Sequence, residues 1–215
     1  MQVRHMRIVG GRHRGRRLLA PPGDTVRPTS DRAREALFNI LSHGRFAADG
    51  IPFAGAAVLD AFAGTGALGL EALSRGAAEA VFIERDPEAV AVLRRNVASL
   101  GESARAEILP GDATRPPRAG LRCAVAFVDP PYRSGLAAVA LEAIAAAGWL
   151  APAALAIIEL GTSEELVPPV GFALLDERAY GAARLVFLRR KNTKIPIRAR
   201  NPTARPPRST IDPMA

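Results

Sequence analysis

The feature that most constrains the fold is an alternation of short apolar runs with stretches of helical periodicity, which begins near residue 57. Five runs have the length and composition of strands: "AVLDAF", "AVFIE", "ARAEIL", "CAVAFVD" and "ALAIIEL". Strands that are apolar along their whole length are buried on both faces, so this alternation predicts a parallel sheet covered by helices on both sides. The final segment, "FALLDERAYGAARLVFLRR", predicts two strands joined by a turn. We therefore predict an α/β fold with a seven-stranded, mostly parallel sheet and a C-terminal antiparallel hairpin.

Smaller elements are predicted on either side of this alternation. Residues 7–19, "RIVGGRHRGRRLL", have the pattern of two short strands around a glycine-rich turn, which predicts a small basic N-terminal β-hairpin. The segment "DRAREALFNILSH" carries its apolar residues on one stripe and predicts a helix. The chain has the length of a single domain with appendages. We predict a basic arm over residues 1–28, a main domain over 29–190, and a basic, proline-rich, disordered tail over 191–215.

Charge is distributed unevenly along the chain. Residues 1–34 contain nine arginines and two aspartates, and residues 189–215 contain eight basic residues and one aspartate. The segment between them contains 12 arginines and 18 acidic residues. Two basic ends on an acidic body indicate contact with a polyanion such as a nucleic acid. Because neither end contains an aromatic residue, we expect these ends to contact phosphates rather than stack on bases.

Composition argues against several classes of protein. Cys123 is the one cysteine and lies in an apolar run, so a buried, inert thiol is expected and no intrachain disulfide is possible. His5, His13 and His43 stand in unrelated contexts, and no metal site is predicted. The first residues lack the apolar stretch of a secretory signal, and no uninterrupted apolar segment is long enough to span a bilayer. We expect a cytoplasmic protein that binds neither a membrane nor a metal.

A glycine-rich loop follows the first predicted strand of the alternation. The spacing Gly64-x-Gly66-x-x-Gly69 lies between a strand and a helix, and Glu84 follows Gly64 by 20 residues at the end of the next strand. This is the fingerprint of a dinucleotide site, in which an acid accepts bonds from ribose hydroxyls. Asp60 argues against a dinucleotide, because a carboxylate this close to the loop would repel a pyrophosphate. A cationic ligand would be attracted instead.

S-adenosylmethionine meets these requirements, since it has an ammonium, a sulfonium, a ribose and an adenine but no phosphate. Asp112, in the "GDA" turn after the third strand, could accept a hydrogen bond from the adenine amino group. Acidic residues after three successive strands around one glycine loop favour this methyl donor over ordinary polar strand ends. We include the adjoining positions in the predicted cofactor site, which comprises Asp60, Phe62, Ala63, Gly64, Gly66, Glu84, Arg85, Asp112 and Ala113.

The fourth strand ends in "DPPY", residues 129–132. Asp129 should lie at the carboxyl edge of the sheet, where open α/β sheets bind their ligands. A carboxylate that accepts one N–H of an exocyclic amine, with the Pro130 carbonyl accepting the other, would stabilise the positive charge that develops during methyl transfer. Pro130 and Pro131 restrict the backbone, and Tyr132 offers a flat face to a base flipped out of its stack. Asp129, Pro130, Pro131 and Tyr132 are the predicted catalytic residues.

Two groups of motifs resemble a known family. "DPPY" together with "DAFAGTGALGLEALSRGA" is similar to the amino-methyltransferases of nucleic acid bases. "MRIVGGRHRGRRL" and "RPTSDRAREALFNIL" resemble the RsmD-type branch, which methylates N2 of a guanine in small-subunit ribosomal RNA, and the similarity covers about residues 6–188. The resemblance implies a class I, Rossmann-like methyltransferase with S-adenosylmethionine as the donor. The acceptor it implies is 16S rRNA in the 30S subunit or an assembly intermediate, with a target of the guanine-966 type.

The resemblance and the charge pattern together imply an RNA-binding surface at the N-terminal end. The segment "RPTSDRAREALFNIL" is expected to close over the cofactor and the target from this side. The predicted RNA-contacting residues are Arg7, Arg12, Arg14, Arg16, Arg17, Arg27, Arg32 and Arg34. The C-terminal tail matches no motif of this branch, and an additional RNA contact is one interpretation of its charge.

Three other functions remain open from the sequence. A DNA adenine-N6 methyltransferase would use the same "DPPY" geometry, although 215 residues leave no room for a separate target-recognition domain. A nicotinamide-dependent oxidoreductase would explain the glycine spacing but not Asp60. A non-catalytic RNA chaperone could retain the fold without the activity, because a fold alone does not establish a function.

Overall fold

The computed structural model describes residues 6–21, 31–43, 46 and 52–191. A short 3-10 turn, Gly11–His13, precedes the regular elements. The helices are α1 (Asp31–His43), α2 (Ala67–Ser74), α3 (Pro87–Leu100) and α4 (Leu136–Ala146). The strands are β1 (Ala57–Ala61), β2 (Glu79–Glu84), β3 (Ala106–Pro110), β4 (Cys123–Val128), β5 (Leu150–Gly161), β6 (Phe172–Tyr180) and β7 (Ala183–Arg190).

The strands form one seven-stranded sheet in the order β3-β2-β1-β4-β5-β7-β6. The first five strands are parallel, and β7 runs antiparallel to both β5 and β6. The predicted sheet and its terminal hairpin are confirmed, as is the expected pairing of β4 with β1. Strand order reverses between β1 and β4, so a ligand crevice is expected at the carboxyl ends of these two strands.

Helices cover both faces of the sheet and give two apolar clusters. On one face, α1, α2 and α3 pack against side chains such as Phe82 and Phe127. On the opposite face, α4 and Trp149 pack against the alternate residues of the same strands. Cys123 is buried there, as predicted, and burial raises the pKa of its thiol to about 12. The alternation of side chains along each strand therefore assigns every residue near the crevice to one of the two faces.

The N-terminal segment folds back on itself as a minimal version of the predicted hairpin. One antiparallel bridge joins Arg7 and Arg17. On either side of it, the Ile8 N–H donates to the Arg16 carbonyl and the Leu18 N–H donates to the Met6 carbonyl, both at 2.9 Å. Met6, Ile8 and Leu18 are buried in the same apolar cluster as α1, α2 and α3, so this segment packs against the main domain.

Helix α3 begins and ends at the predicted residues. The Asp86 carboxylate accepts a hydrogen bond from the Glu88 N–H at 2.8 Å, and Pro87 occupies the first turn. Gly101 ends the helix at φ +74°, a conformation that glycine adopts without steric cost. The two ends of this helix are thus encoded locally, independently of the sheet.

Two predictions fall outside the described residues: the tail beyond Lys191, and the part of the "RPTSDRAREALFNIL" segment that precedes Asp31. In the part of the chain that the structure describes, no helix is both long and apolar enough to cross a membrane.

Candidate active site

Acidic side chains stand at the carboxyl ends of all five parallel strands. Asp60 and Glu84 lie in the last two residues of β1 and β2, while Asp112 and Asp129 follow β3 and β4 closely. The structure places these four predicted residues along one edge of the sheet. Glu159, near the end of β5, is the fifth, and the sequence analysis did not single it out. The available signal was a lone carboxylate inside the otherwise apolar run "ALAIIEL".

The three glycines of the loop have different structural roles. An added Cβ at Gly66 would lie 2.3 Å from Leu93 Cδ1, and one at Gly69 would lie 2.4 Å from Phe82 Cε1. Gly69 therefore allows α2 to pack closely on the sheet, and Gly66 leaves room for Leu93 of α3. Gly64, at φ +54°, has nothing closer than 4.0 Å to its added Cβ. Its open side is where a ligand can approach the backbone.

The loop also contains a backbone conformation that is rare for its residue type. Phe62 has φ +60°, although L residues other than glycine seldom adopt positive φ. The neighbouring Ala63 is held in place because its N–H donates to the Ile83 carbonyl at 3.1 Å and its carbonyl accepts from the Gly66 N–H at 2.7 Å. Strained residues of this kind cluster at ligand sites, which is consistent with a binding role for the loop.

Asp60 is almost completely buried, with 2% of its surface exposed. Its Oδ2 accepts the Gly69 N–H at 2.8 Å, so it holds the first turn of α2 against β1. Burial raises the pKa of Asp60 to about 7; the hydrogen bond from Gly69 opposes this shift and the charge of Glu84 adds to it. A cation bound at the loop would therefore act on Asp60 through a medium of low polarity, where charge interactions are strong.

Glu84 connects the glycine loop to the loop that precedes α3. Its Oε2 accepts the Gly64 N–H at 2.8 Å and its Oε1 accepts the Asp86 N–H at 2.8 Å. Each carboxylate oxygen has a second lone pair, so these bonds leave capacity for ribose hydroxyls. Arg85, the next predicted residue, is exposed.

Asp112 is organised by its own turn. Its Oδ1 accepts both the backbone N–H and the hydroxyl of Thr114 at 2.8 Å. These bonds lower the pKa of Asp112, with smaller contributions from the charges of Arg85 and Arg115, so the group is an anion at neutral pH. Ala113 is buried in the apolar cluster on the α4 face. The Asp112 side chain is thus fixed as a hydrogen-bond acceptor at the carboxyl edge of the sheet, after β3.

Asp129 lies beside the glycine-loop strand, as predicted. Its N–H donates to the Ala61 carbonyl at 3.3 Å, which extends the pairing of β4 with β1 beyond the last strand residue. Burial raises the pKa of Asp129 well above its usual value, and the charges of Glu159 and Asp60 raise it further. The charges of two neighbouring carboxylates therefore act on Asp129, which disfavours its ionisation in the absence of a cation.

The remaining "DPPY" residues extend outward from Asp129. Pro130 is buried and Pro131 is exposed. The Tyr132 hydroxyl donates to Glu159 Oε1 at 3.0 Å, and 39% of the tyrosine surface remains exposed. A cavity of about 360 Å³ opens beside this ring. Its walls are formed by Tyr132, Arg133, Gly161, Thr162, Ser163, Glu164 and Ala182.

Seven of the eight predicted RNA-contacting arginines fall into three groups. Arg14, Arg17 and Arg32 are exposed, and the structure gives them no ion pair within the described residues. Three others combine exposure with local contacts: Arg7 pairs with Asp31, Arg12 pairs with Glu102, and Arg16 donates to the Ser99 carbonyl. Arg27 lies outside the described residues. Most of the described set is therefore available on the surface of the arm and the start of α1.

Arg34 is a correction to the predicted RNA surface. It is fully buried, and its guanidinium donates to Asp31 Oδ1 at 2.8 Å and to the Arg7 carbonyl. Glu71, also buried, lies 3.9 Å from Arg34 Nε. A charge on the apolar stripe of α1 is stable there because acidic partners compensate its burial. Arg34 holds the arm against the domain in this structure and does not reach an external phosphate.

Asn96 joins the N-terminal arm to the glycine loop. The side chain is fully buried on α3. Its Oδ1 accepts the Leu19 N–H at 2.8 Å, and its Nδ2 donates to the Leu19 carbonyl at 3.1 Å and to the Thr65 carbonyl at 3.0 Å. One amide therefore fixes the backbone of the arm relative to the loop, a contact that sequence reasoning did not anticipate.

The chain has curated relatives over most of its length. It matches the family described as "Conserved hypothetical protein 95" over residues 6–189. It is 39% identical over 178 residues to ribosomal RNA small subunit methyltransferase D of Escherichia coli K12, a match that covers 82% of this chain and 85% of the relative. A protein of the same name from Haemophilus influenzae is 35% identical over 181 residues, with 82% and 89% covered.

Solved structures share the fold. An Escherichia coli protein provisionally assigned as the methyltransferase yhhF superposes with a TM-score of 0.74 at 37% identity, covering 87% of this chain and 99% of that one. An RNA methyltransferase from Salinibacter ruber, in complex with S-adenosyl-L-homocysteine, has a TM-score of 0.58 at 15% identity and covers 79% and 97%. At this identity, the similarity to the Salinibacter ruber protein concerns the fold alone. The extent and identity of the sequence matches establish that this chain belongs to the RsmD-type methyltransferase family.

Proposed function

We propose that this protein transfers a methyl group from S-adenosylmethionine to the exocyclic N2 amine of a guanine in 16S rRNA, of the guanine-966 type. The substrate is 16S rRNA in the 30S subunit or in an assembly intermediate. The observation that carries the proposal is the position of Asp129 next to Asp60 and the strand of the glycine loop, which supports an acceptor site adjacent to the proposed donor site. The class of RNA is supported by the names of the curated relatives.

The residues around the glycine loop fit S-adenosylmethionine. Gly64 has an open side that an L side chain would occupy. Glu84 has capacity for ribose hydroxyls, and Asp112 is a fixed acceptor suited to the adenine amino group. The raised pKa of Asp60 indicates a buried carboxyl that gains from a nearby cation. When bound, this cofactor supplies an electrophilic methyl group on a sulfonium.

Asp129 and Pro130 would orient the acceptor amine. The lone pair of an aryl amine is delocalised into the ring, so the amine is a weak nucleophile. Hydrogen bonds from its two N–H groups to the Asp129 carboxylate and the Pro130 carbonyl favour tetrahedral geometry at nitrogen and stabilise the developing positive charge. The proton is lost after transfer, because the product cation is acidic. Positioning supplies the greater part of the rate enhancement in this proposal.

Tyr132 and the adjoining cavity would receive the flipped base. Removing a base from its stack costs about a few kcal/mol, and stacking on an aromatic side chain returns part of that free energy. The exposed arginines Arg14, Arg17 and Arg32 would contact phosphates, and Arg27 remains part of the predicted surface. Such contacts orient the RNA but do not select a sequence.

The test uses the purified protein and a tritiated methyl donor, with 30S particles from a strain that lacks the homologous enzyme in one reaction and duplex DNA in another. The expected result is labelled N2-methylguanosine after nuclease digestion and mass spectrometry of the nucleosides. Label in N6-methyladenosine of DNA would support the adenine-N6 alternative. No labelled nucleoside in either nucleic acid, together with tight binding of NADH, would overturn the proposal.

Cofactor affinity is expected to rise with pH through about 7. Because the pKa of Asp60 is raised to about 7, the carboxyl is partly protonated below that pH. A bound cation favours the ionised form, so binding at pH 6.5 should release a fraction of a proton, and the affinity should rise by up to about tenfold per pH unit below the pKa. Calorimetry in two buffers with different ionisation enthalpies measures the release.

The pKa of Asp129 is also raised, by burial and by the charges of Glu159 and Asp60, so paired variants are needed to assign the proton. Proton release is expected to disappear in Asp60→Asn and to persist in Asp129→Asn. Equal release by Asp60→Asn and by the wild type would contradict the role given to Asp60.

A further inference from the structure

Glu159 is a buried carboxylate that the proposed mechanism does not use. It stands in β5 between apolar neighbours, and 5% of its surface is exposed. Burial of a carboxyl group is costly unless hydrogen bonds compensate for the lost hydration. A buried acid next to a ligand crevice is therefore a candidate for a functional role.

The register of the sheet places Glu159 next to the acceptor site. Phe127 of β4 pairs with Ile157 of β5, and Val128 pairs with Ile158. Continuing this register sets Asp129 beside Glu159. Phe127 and Ile157 belong to the same apolar cluster, and side chains two residues further along each strand return to the same face. Asp129 and Glu159 therefore face the same side of the sheet, and their backbones are separated by one strand spacing, about 4.8 Å across the sheet.

Glu159 also contacts Tyr132, the predicted stacking residue. The Tyr132 hydroxyl donates to Glu159 Oε1 at 3.0 Å, so the far end of the ring is tethered to β5. The following residue, Arg133, has φ +58°, a strained conformation for an L residue that is retained where the surrounding structure enforces it. The bond to a rigid central strand is one contact that fixes this loop.

We propose that Glu159 is a positioning residue, which holds the Tyr132 ring in the orientation that the acceptor base stacks on. The proposal rests on the proposed RNA methylation. An exposed tyrosine without this hydrogen bond would sample several rotamers. Binding of the base would then have to order the ring, and the lost side-chain entropy would weaken binding. A pre-oriented ring contributes equally to the bound substrate and to the transition state, so its loss should raise KM more than it lowers kcat.

A double-mutant cycle tests whether Glu159 acts through the Tyr132 hydroxyl. Tyr132→Phe keeps the ring and removes the donor, while Glu159→Leu removes the acceptor and keeps an apolar volume in the strand. Each single variant is expected to raise KM for 30S particles about tenfold, within the range for one stacked base, with kcat changed less than about threefold. The double variant is expected to be no worse than either single variant.

Two further variants separate positioning from general structural damage. Glu159→Gln retains a carbonyl acceptor and is expected to keep a KM near that of the wild type. Glu159→Gln also removes a negative charge that, together with that of Asp60, raises the pKa of Asp129. The pKa of Asp129 should therefore fall in this variant, and the acid limb of the plot of kcat against pH is expected to move to lower pH. Tyr180→Phe, at the other tyrosine of the chain, is the matched control and is expected to change neither quantity.

A second measurement does not depend on methylation. The chain contains two tyrosines, so 3-fluorotyrosine labelling gives two fluorine resonances, and Tyr132→Phe and Tyr180→Phe assign them. Glu159→Leu is expected to shift or broaden the Tyr132 resonance and to leave the Tyr180 resonance unchanged.

The two measurements distinguish failure of this inference from failure of the proposed function. KM effects of Glu159→Leu and Tyr132→Phe that multiply in the double variant, or a Tyr132 resonance identical in wild type and Glu159→Leu, would overturn the positioning role. A wild-type protein that methylates no RNA would overturn the proposed function instead, and the fluorine spectra would still decide whether Glu159 fixes the ring.

Discussion

Asp129→Asn is expected to slow methyl transfer by about 10²–10³-fold, the effect of removing one preorganised electrostatic contact from a transition state. Asparagine keeps the shape of the side chain but has no charge to stabilise the cation that develops on the amine. The measurement is single-turnover transfer of labelled methyl to 30S particles with enzyme in excess. Affinity for S-adenosylmethionine, measured by calorimetry, is expected to change by less than about threefold, because Asp129 acts on the acceptor.

Glu142→Gln provides the matched control. Glu142 is an exposed acid on α4, on the opposite face of the sheet, and its replacement also removes one negative charge. Transfer by this variant is expected to equal that of the wild type. If Asp129→Asn transferred methyl groups as fast as Glu142→Gln, the assignment of Asp129 to the acceptor site would be wrong.

Gly66→Ala is expected to destabilise the folded protein by about 2–5 kcal/mol, which combines a left-handed backbone with overpacking. Gly66 has φ +79°, and its added Cβ would lie 2.3 Å from Leu93 Cδ1 and 3.3 Å from Phe82 Cε1. Leu93 and Phe82 are fully buried, so neither can move away without disturbing the cluster. The free energy of unfolding, measured in urea, gives the effect.

Gly64→Ala is expected to reduce cofactor affinity more than it reduces the stability of the fold. Its added Cβ meets open space, so the free energy of unfolding should fall only by the backbone term of about 1–2 kcal/mol. Cofactor affinity, however, should fall about tenfold or more, because the Cβ enters the space proposed for the ligand. Gly101→Ala is the control: Gly101 has a similar φ of +74° and an open Cβ direction, but it lies at the end of α3.

The comparison of Gly64→Ala with Gly101→Ala isolates ligand contact from backbone strain. Both variants should lose similar stability, and only Gly64→Ala should lose cofactor affinity. Equal affinities in the two variants would show that the cofactor does not lie against Gly64.

Prediction from the sequence succeeded where the determinant is local or periodic. The ends of α3 follow from Asp86, Pro87 and Gly101, whose preferences act within one turn. The strand runs are apolar along their length, and this pattern alone predicted a buried parallel sheet. Asp60 and Asp129 could be placed at one edge because parallel strands share a carboxyl end and the first and fourth strands of this fold are neighbours.

Prediction failed where the determinant is a contact between distant segments. Arg34 has the composition of a nucleic-acid contact, but its position on the buried stripe of α1 and the acids of α1 and α2 make it a structural residue. The basic arm folds back as predicted, but the sequence analysis did not anticipate that its apolar residues Met6, Ile8 and Leu18 enter the core. Glu159 was missed because a single acid in a strand does not indicate a functional site by itself. The register of β4 and β5 is what sets it beside Asp129.

By itself, the sequence determined the fold class, the ends of its best-defined helix and the row of acids along the sheet edge, because these depend on residue spacing and on short-range preferences of the backbone. The tertiary structure alone decided which charges are exposed and which carboxylates act on one another. Burial and electrostatic coupling depend on distances between chain segments far apart in sequence, and those distances exist only once the sheet has formed and its faces are covered.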